Sequence, residues 1–293
     1  TTVPSNTVKP APITGNRAAT ACRRHAPGGR IRMNMRPNSD CEPSVPHQEP
    51  FTDEGTSSAR PNKRTRANSS PESCPLCETA GATLYHKDRW RPYWQCRNCA
   101  LVFVPTTMRI SRQREKARYD QHLNDPSDLR YRQFLSRLAD PLTQRVPAGA
   151  VGLDFGSGPG PTLGPMLTEA GLTVHLYDPF YAPDPEVWRR RYDFITASEV
   201  IEHLHTPQQE LTRLFSVLAP GGYLAVMTRW VKSRSSFANS RYIRDPTHVC
   251  FYSVATCHWI ANEWQTSLEL PDTDVALFRS TPQATAPARS GVG

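Results

Sequence analysis

The chain has 293 residues, 38% of them hydrophobic, and its 35 lysines and arginines against 27 aspartates and glutamates give a net charge of +8. This length suits one large or two modest domains. No apolar run approaches the roughly 20 residues that span a bilayer, so we expect no membrane span. The eight cysteines are too few for a disulfide scaffold in so long a chain. No basic and apolar leader is visible at the start, which favours a cytoplasmic protein.

Residues 1–72 differ from the rest of the chain in composition. They contain ten prolines, no Leu, Trp or Tyr, and one aromatic residue, Phe51, and their eleven basic and six acidic side chains give +5. A segment without periodic large apolar residues cannot bury enough surface to offset its ordering entropy. We therefore predict a disordered basic tail, which is more often solvated than bound to nucleic acid. Residues 281–293, rich in Pro, Ala, Ser and Gly, are predicted to be a second, loose tail.

Residues 73–106 are predicted to be a small zinc-ribbon module. Two Cys-x-x-Cys pairs, Cys74 with Cys77 and Cys96 with Cys99, are separated by 18 residues. Two such pairs can close a tetrahedral site of four thiolates, which suits zinc in a reducing compartment. A redox pair would open a helix beside a βαβ unit, and neither pair does so. Because four thiolates leave no open position, we expect the zinc to be structural.

The rest of the chain is predicted to be α/β. Residues 107–148 are polar with apolar positions at helical spacing, and read as one or two helices interrupted near residues 125–126. Tyr119 and His122 on this stretch are expected either to close over a ligand or to form a surface pair. Residues 149–280 alternate short β-like runs with helical stretches, the pattern of a doubly wound sheet.

A glycine-rich turn follows the first predicted strand of this last region. Glycine at alternate positions allows backbone angles and a close approach that a Cβ would forbid. The next strand ends at Asp178, 22 residues beyond Gly156, the separation at which a carboxylate can accept both ribose hydroxyls of a nucleoside. The residues of the turn that we expect to contact the ligand are Asp154, Gly156, Ser157, Gly158 and Gly160.

The spacing of the glycines in the turn indicates which class of nucleotide or nucleoside it can bind. It reads G-x-G-x-G rather than the dinucleotide fingerprint G-x-G-x-x-G, and no P-loop lysine follows. Asp154 at the strand end would repel a phosphate and favour a cationic ligand. S-adenosylmethionine fits, because it has a ribose, an ammonium and a sulfonium but no phosphate. The alternative is a glycine-rich turn that only packs.

At these residues the sequence resembles the class I S-adenosylmethionine-dependent methyltransferases. The likeness continues through residues 192–204, 218–227 and 274–279, which match the family's fourth, fifth and final strands. It implies a Rossmann-like doubly wound sheet with the cofactor across the carboxyl ends of the strands. Only 14 residues separate Asp178 from Asp193, so we expect the third strand to be short or missing. No adenine-contacting residue can therefore be assigned.

The fourth strand is followed by Glu199, Glu202 and His203, whose spacing places them on one face of a helical turn. This segment resembles the ubiquinone-pathway O-methyltransferases and the small-RNA 3′-end 2′-O-methyltransferases. In both groups the matching residues bind a divalent cation, and in the RNA group a further histidine, here His248, follows the fifth strand. The resemblance thus implies a second divalent cation at Glu199, Glu202, His203 and His248, with Mg²⁺, Mn²⁺ or Zn²⁺ as candidates.

Two metal-free interpretations remain open at this segment. In one, Glu199 contacts the cofactor and the other two side chains cap and pack the turn. In the other, His203 or His248 is a general base. The candidate catalytic residues are accordingly Glu202, His203 and His248. The polar stretch 232–239 is expected to be a mobile loop over the site.

We expect an S-adenosylmethionine-dependent methyltransferase acting on a small-molecule hydroxyl or carbon. Its cysteine module resembles those of sugar and natural-product C-methyltransferases. An RNA acceptor is the alternative, favoured by the Glu-His turn, His248 and the basic tail. The folded part, however, has no dense basic stripe with stacking aromatic residues. A third possibility is a non-catalytic protein that docks partners through its zinc module.

Overall fold

The structure, a computed structural model, describes residues 73–121 and 124–281. The predicted disordered tail at 1–72, His122 and the last twelve residues of the predicted loose tail lie outside these residues. Within the described ranges, no helix combines the length and the apolar character that a bilayer crossing requires.

The described residues form ten strands and six α-helices. The strands are β1 (Thr83–Lys87), β2 (Pro92–Gln95), β3 (Val102–Phe103), β4 (Val151–Phe155), β5 (Thr173–Tyr177), β6 (Tyr192–Ser198), β7 (Leu218–Met227), β8 (Cys250–Phe251), β9 (Thr266–Asp272) and β10 (Val275–Ser280). The helices are α1 (Arg112–Tyr119), α2 (Leu129–Thr143), α3 (Leu163–Glu169), α4 (Pro207–Ser216), α5 (Arg234–Asn239) and α6 (Val254–Glu263). Short 3-10 helices occupy Thr106–Met108, Pro185–Arg189, Ile201–His203 and Tyr242–Arg244.

The larger sheet has six strands in the order β5-β4-β6-β7-β10-β9. The four strands from β5 to β7 are parallel, and β10 and β9 continue the sheet antiparallel. Only the 3-10 helix Pro185–Arg189 lies between β5 and β6, so β5 is an edge strand. The predicted Rossmann-like sheet without a third strand is confirmed.

Helices cover the two faces of this sheet, as its sequence requires. The middle of β6 is buried continuously because a parallel strand between two helical layers has no solvent face. On one face, α2 packs Leu135, Leu138 and Leu142 into a core with Phe194 and Leu277. On the expected helical stretch, α1 and α2 lie on either side of residues 125–126.

A second sheet joins the cysteine module to the rest of the fold. Its order is β1-β2-β3-β8, so β3, the last strand of the module, pairs with a strand that follows β7 in the chain. In the β3–β8 pairing, Val102 lies opposite Phe251 and Phe103 opposite Cys250. One hydrophobic core runs from the cysteines to the second face of the larger sheet. The cysteine module therefore shares its core with the sheet.

Candidate active site

The glycine-rich turn is fixed against the end of β5. Gly156 has a φ of +77°, and a Cβ there would lie 2.5 Å from the side chain of Val200, so only glycine fits. Its amide donates a 2.7 Å hydrogen bond to the Tyr177 carbonyl. Gly158 has a φ of +67°, and its amide donates to Asp178 Oδ2 at 3.0 Å. The turn and the second-strand acid thus form one unit.

Asp178 lies at the end of β5 and is 7% exposed. Besides the Gly158 amide, its other carboxylate oxygen accepts from the amides of Phe180 at 2.8 Å and Tyr181 at 3.1 Å. A carboxylate offers about four lone-pair directions, so one remains for a ligand. A second ribose hydroxyl could be accepted only if one of the backbone donors were released.

Asp154 is directed into the protein and is 4% exposed. The Thr196 hydroxyl donates to Asp154 Oδ1 at 2.8 Å, and the Gly164 amide of α3 is a second donor. Burial raises the pKa of Asp154 to about 6, and the nearby charge of Asp178 adds to the shift. Its contacts within the described residues therefore join β4 to β6 and α3.

Ser157 and Gly160 are the two remaining residues of the turn that were predicted to contact the ligand. The Ser157 hydroxyl is buried without a hydrogen-bond partner in the described residues, as is that of Ser198 at the end of β6. A Cβ at Gly160 would lie 2.4 Å from the Asn124 carbonyl, so the segment before α2 covers the turn closely. Buried hydroxyls without protein partners are positions at which a bound ligand can supply the hydrogen bond.

Glu199 has a left-handed backbone, with a φ of +53°, immediately after β6. Such a conformation costs about 1–3 kcal/mol for a residue other than glycine and is common at functional sites. The Glu199 amide donates to the Met227 carbonyl at 2.8 Å, which fixes the strained turn to β7. Burial, with the nearby charge of Glu202, raises the pKa of Glu199 well above its usual range.

Three of the predicted residues come together beside this turn. Glu202, His203 and His248 each offer one ligand atom, and these atoms lie within 4.8 Å of one another. Glu199, expected as a fourth member, is not in that group. Glu202 is fully buried and His248 is 8% exposed. The structure thus brings together the three candidate catalytic residues from two distant parts of the chain.

The orientation of both imidazoles is set by backbone carbonyls. His203 Nδ1 donates to the Thr247 carbonyl at 3.2 Å, and His248 Nδ1 donates to the Tyr242 carbonyl at 2.8 Å. The two rings meet edge to face with centroids 4.7 Å apart. Burial and the neighbouring His248 lower the pKa of His203 to about 4. His203 is therefore a neutral acceptor at physiological pH.

Glu202 belongs to a buried polar network that the sequence did not indicate. The Thr228 hydroxyl donates to Glu202 Oε2 at 3.0 Å and lies 2.7 Å from the Tyr242 hydroxyl. Glu202 Oε1 is buried without a partner in the described residues. Thr228 directly follows β7, a position with no motif to distinguish it. The network leaves one carboxylate oxygen for a ligand.

Helix α1 closes one side of the cluster. The Tyr119 ring packs edge to face against His203 at 5.3 Å and against Phe180 at 5.8 Å. Its hydroxyl donates to Glu115 Oε1 at 2.8 Å. Tyr119 therefore bridges the Asp178 end of the site and the histidines.

The four cysteines of the module form a second cluster. Their sulfur atoms all lie within 4.8 Å of one another, with 3.5 Å between Cys74 and Cys99 and 3.3 Å between Cys77 and Cys96. These distances exceed the roughly 2.05 Å of a disulfide, and all four are free thiols. The hydrogen bond from Cys99 lowers the pKa of Cys74 to about 6, although burial opposes it.

The two Cys-x-x-Cys turns end with the same backbone conformation. Each is followed directly by a residue in the left-handed region, Glu78 with a φ of 58° and Ala100 with a φ of 60°. A tetrahedral zinc site with Zn–S bonds of about 2.3 Å has sulfur–sulfur edges of about 3.8 Å. The two separations of 3.5 and 3.3 Å are slightly shorter than this value, and the four sulfur atoms could hold one metal ion.

Residues 122–265 match the family model of the methyltransferase domain. No curated protein matches the chain significantly. Among solved structures, 1,6-didemethyltoxoflavin-N1-methyltransferase from Burkholderia thailandensis, with 1,6-didemethyltoxoflavin and S-adenosylhomocysteine bound, is 14% identical. The alignment covers 69% of this chain and 100% of that one, with a TM-score of 0.39.

Two further solved structures are similar over smaller parts. An O-methyltransferase family 2 protein from Planctomyces limnophilus, in complex with apigenin, is 17% identical over 52% of this chain and 60% of that one, with a TM-score of 0.36. An O-methyltransferase family protein from Burkholderia thailandensis is 8% identical over 52% of this chain and 57% of that one, with a TM-score of 0.38. The chain thus spans less than two thirds of either protein.

The matched range contains the glycine-rich turn, Asp178, and the cluster of Glu202, His203 and His248. It also contains β4, β5 and β6, whose carboxyl ends lead into the glycine-rich turn, Asp178 and Glu202. The chain therefore contains a methyltransferase domain over residues 122–265.

Proposed function

We propose that this methyltransferase transfers the methyl group to a hydroxyl or a carbon of a small molecule. The observation that carries the proposal is the burial of the polar cluster at the end of β6. Glu202 is fully buried, His248 is 8% exposed, and Tyr119 packs against His203. Buried polar side chains that converge on one point suit a small acceptor, which can be surrounded by protein.

The cofactor half of the proposal assigns S-adenosylmethionine to the turn between β4 and α3. Asp178 has one acceptor direction left for a ribose hydroxyl, and the buried Ser157 hydroxyl has no protein partner in the described residues. Gly158 has no atom within 4 Å of the position of a Cβ, which leaves room for a ligand beside the backbone. These features fit an adenosyl group. The bound sulfonium supplies the reactive methyl group, and the protein contributes alignment.

We assign proton removal from the acceptor to Glu202. His203 is neutral at physiological pH and its Nδ1 donates to the Thr247 carbonyl, so its Nε2 is placed to hold the acceptor by a hydrogen bond. Glu202 Oε1 is buried and lacks a partner in the described residues, whereas its other oxygen is held by Thr228. The oriented carboxylate is therefore the group in this cluster that we expect to take the proton.

The four-cysteine cluster is proposed to hold one structural zinc ion. Four thiolates close a tetrahedral site and leave no position for a substrate. Because free thiols persist in reducing compartments, the same cluster supports the cytoplasm as the proposed location.

A divalent cation at the buried cluster, with an RNA 2′-hydroxyl as acceptor, is the second candidate. One carboxylate and two imidazoles are a donor set that suits Mn²⁺ or Zn²⁺ better than Mg²⁺, which prefers oxygen. The buried, unpaired Glu202 Oε1 is consistent with a ligand atom. Such an ion would lower the pKa of the acceptor hydroxyl. The group contains three residues rather than the four expected from the resemblance.

The test combines binding and turnover on the full chain. Isothermal titration with S-adenosylhomocysteine should show one site, and an absence of binding would contradict the cofactor assignment. Methyl transfer from labelled S-adenosylmethionine is then measured on a panel of hydroxyl-bearing and C–H-acidic metabolites and on RNA 3′ ends, with and without EDTA. Metabolite methylation that survives EDTA supports the first candidate. RNA methylation that EDTA abolishes and Mn²⁺ restores supports the second.

A further inference from the structure

Arg91 is a buried arginine of the cysteine module that reaches out of it. It precedes β2 and is 7% exposed. Its Nε donates to the Tyr93 hydroxyl at 3.1 Å. Its two terminal nitrogens donate to three backbone carbonyls of another part of the chain. These are Ile243 at 3.0 Å, Asp245 at 2.7 Å and Pro246 at 3.2 Å.

Among the described residues, the Asp245 carbonyl also accepts from the His248 amide at 3.3 Å, and the other two carbonyls accept from no backbone amide. The segment begins with the short 3-10 helix Tyr242–Arg244, and the last carbonyls of a helix have no partner within it. A guanidinium has five N–H donors in a planar fork, so a single side chain can satisfy several carbonyls at once. The Tyr93 hydroxyl lies 2.8 Å from the Ile243 carbonyl and reinforces the contact. Arg91 thus supplies hydrogen bonds to carbonyls at and beyond the end of this 3-10 helix.

The residues on either side of the segment that Arg91 binds, Tyr242 and Thr247, provide the carbonyls that orient the two histidines. The Tyr242 carbonyl accepts from His248 Nδ1, and the Thr247 carbonyl accepts from His203 Nδ1. The Tyr242 hydroxyl contacts Thr228, which holds Glu202. A shift of this backbone would therefore reach each member of the buried cluster.

A second connection ties the same region to the module. The Val104 amide donates to the Val249 carbonyl, and the Val249 amide donates to the Glu202 carbonyl, at 2.9 and 2.8 Å. Residue 249 is thus held between the end of the module and the 3-10 helix that carries Glu202. The cysteine module contacts the acceptor side of the site on both sides of His248.

We propose that Arg91 is a positioning residue for methyl transfer, which holds the backbone of residues 243–246 so that His248 and Tyr242 face the acceptor. The inference deepens the proposed function, since it assigns the cysteine module the task of shaping the acceptor half of that site. Arg91 contacts neither cofactor nor acceptor and acts through the segment that it binds. The cofactor turn between β4 and α3 has no part in this contact.

The test uses the full chain with Arg91→Lys, in which a single ammonium cannot span three carbonyls, and Tyr93→Phe, which removes one hydroxyl. Arg97→Lys, an exposed position between the zinc-module cysteines, is the matched control. We expect all three variants to keep the wild-type metal content and to bind S-adenosylhomocysteine within about twofold of wild type. Imidazole ¹⁵N NMR should show His248 as the Nδ1–H tautomer in wild type and Arg97→Lys. It should show a mixture of tautomers in Arg91→Lys and a smaller change in Tyr93→Phe.

Wild-type His248 signals in both Arg91→Lys and Tyr93→Phe would overturn the proposal. So would a joint loss of metal, cofactor binding and His248 signal in both variants, because that result describes a residue needed only for folding. If Arg91→Lys does not fold, Tyr93→Phe decides alone. Failure of the wild type to bind S-adenosylhomocysteine would contradict the proposed function instead, and the His248 comparison would still judge the role of Arg91.

Discussion

The Gly158 amide donates a 3.0 Å hydrogen bond to Asp178 Oδ2, joining the glycine-rich turn to the acid that ends the neighbouring strand. Both residues stand at the carboxyl ends of parallel strands, where ligands bind in open α/β sheets. The bond holds the loop in a left-handed conformation at Gly158. Preorganisation of this kind reduces the ordering cost of binding.

Replacement of Asp178 by alanine should weaken cofactor binding. Hydrogen bonds to a charged group contribute about 1.5–3 kcal/mol, so losing one to a ribose hydroxyl should raise the Kd for S-adenosylhomocysteine roughly 10- to 150-fold. Asp178→Asn should also weaken binding, because an amide nitrogen would face the donor of Gly158. Isothermal titration measures the effect. Asp184→Ala, which removes a nearby exposed cap of the 3-10 helix, is the control. Wild-type binding by Asp178→Ala would show that the ribose assignment is wrong.

The buried Asp154 should make folding stability depend on pH. Burial raises its folded pKa from 3.8 to about 6, so the folded state holds a proton that the unfolded chain releases. The contribution is present below the unfolded pKa and is lost as the pH rises through 6. Between pH 5 and 7.5 it should amount to about 1.4 kcal/mol. Asp154→Asn should remove this part of the pH dependence.

Urea unfolding of the wild type and Asp154→Asn at the two pH values measures the difference. The exposed cap substitution Asp128→Asn corrects for the general effect of removing a carboxylate. Equal pH dependence in the wild type and Asp154→Asn would mean that Asp154 is not perturbed by its surroundings.

The larger sheet was predictable because its signals are local. Strands β4 and β6 are largely buried, and the turns after them carry their functional residues at fixed spacing. The 14 residues between Asp178 and Asp193 were enough to predict the missing strand. The cluster of Glu202, His203 and His248 was anticipated through resemblance, and the structure adds the carbonyls that orient its imidazoles.

Features that depend on contacts between distant residues were not predictable. Strand β8 has two residues and therefore no periodicity, and its pairing with β3 becomes visible only in three dimensions. Residues 232–239 were expected to be a mobile loop. The structure instead has helix α5 there, with a capping box between Ser233 and Ser236 and a buried Phe237. The Ser-x-x-Ser spacing of residues 233 and 236 could have indicated the start of a helix. It was not enough, because a helix this short and polar has little apolar periodicity.

Replacement of Cys96 by serine should release the metal of the cysteine cluster. Because zinc binding contributes to folding energy, and because the module shares its core with the larger sheet, the thermal midpoint of the whole domain should fall. Elemental analysis should drop from about one ion per chain to less than half, as expected for the loss of a thiolate ligand. Cys257→Ala, a buried free thiol outside the cluster, should keep its metal. Retention of the ion by Cys96→Ser would contradict the four-thiolate site.

Replacement of Glu202 by glutamine should separate chemistry from binding. The amide can still accept from Thr228 through one oxygen, but it can neither take a proton nor serve as an anionic ligand. We expect methyl transfer to the best acceptor of the panel to fall about 10²- to 10⁴-fold, the usual contribution of a general base. Binding of S-adenosylhomocysteine should stay within about twofold, because the cofactor turn lies on β4 and β5.

The matched substitution Glu263→Gln, at an exposed position of α6, should leave both quantities unchanged. Wild-type turnover in Glu202→Gln would contradict the assigned base. Added Mn²⁺ distinguishes the two candidate functions. If Glu202 is the general base, its carboxylate is needed whether or not the ion is present. Added Mn²⁺ should then change the turnover of neither the wild type nor Glu202→Gln. If the carboxylate is instead a metal ligand, Mn²⁺ should stimulate the wild type at a concentration that leaves Glu202→Gln inactive, since the lost ligand weakens the site.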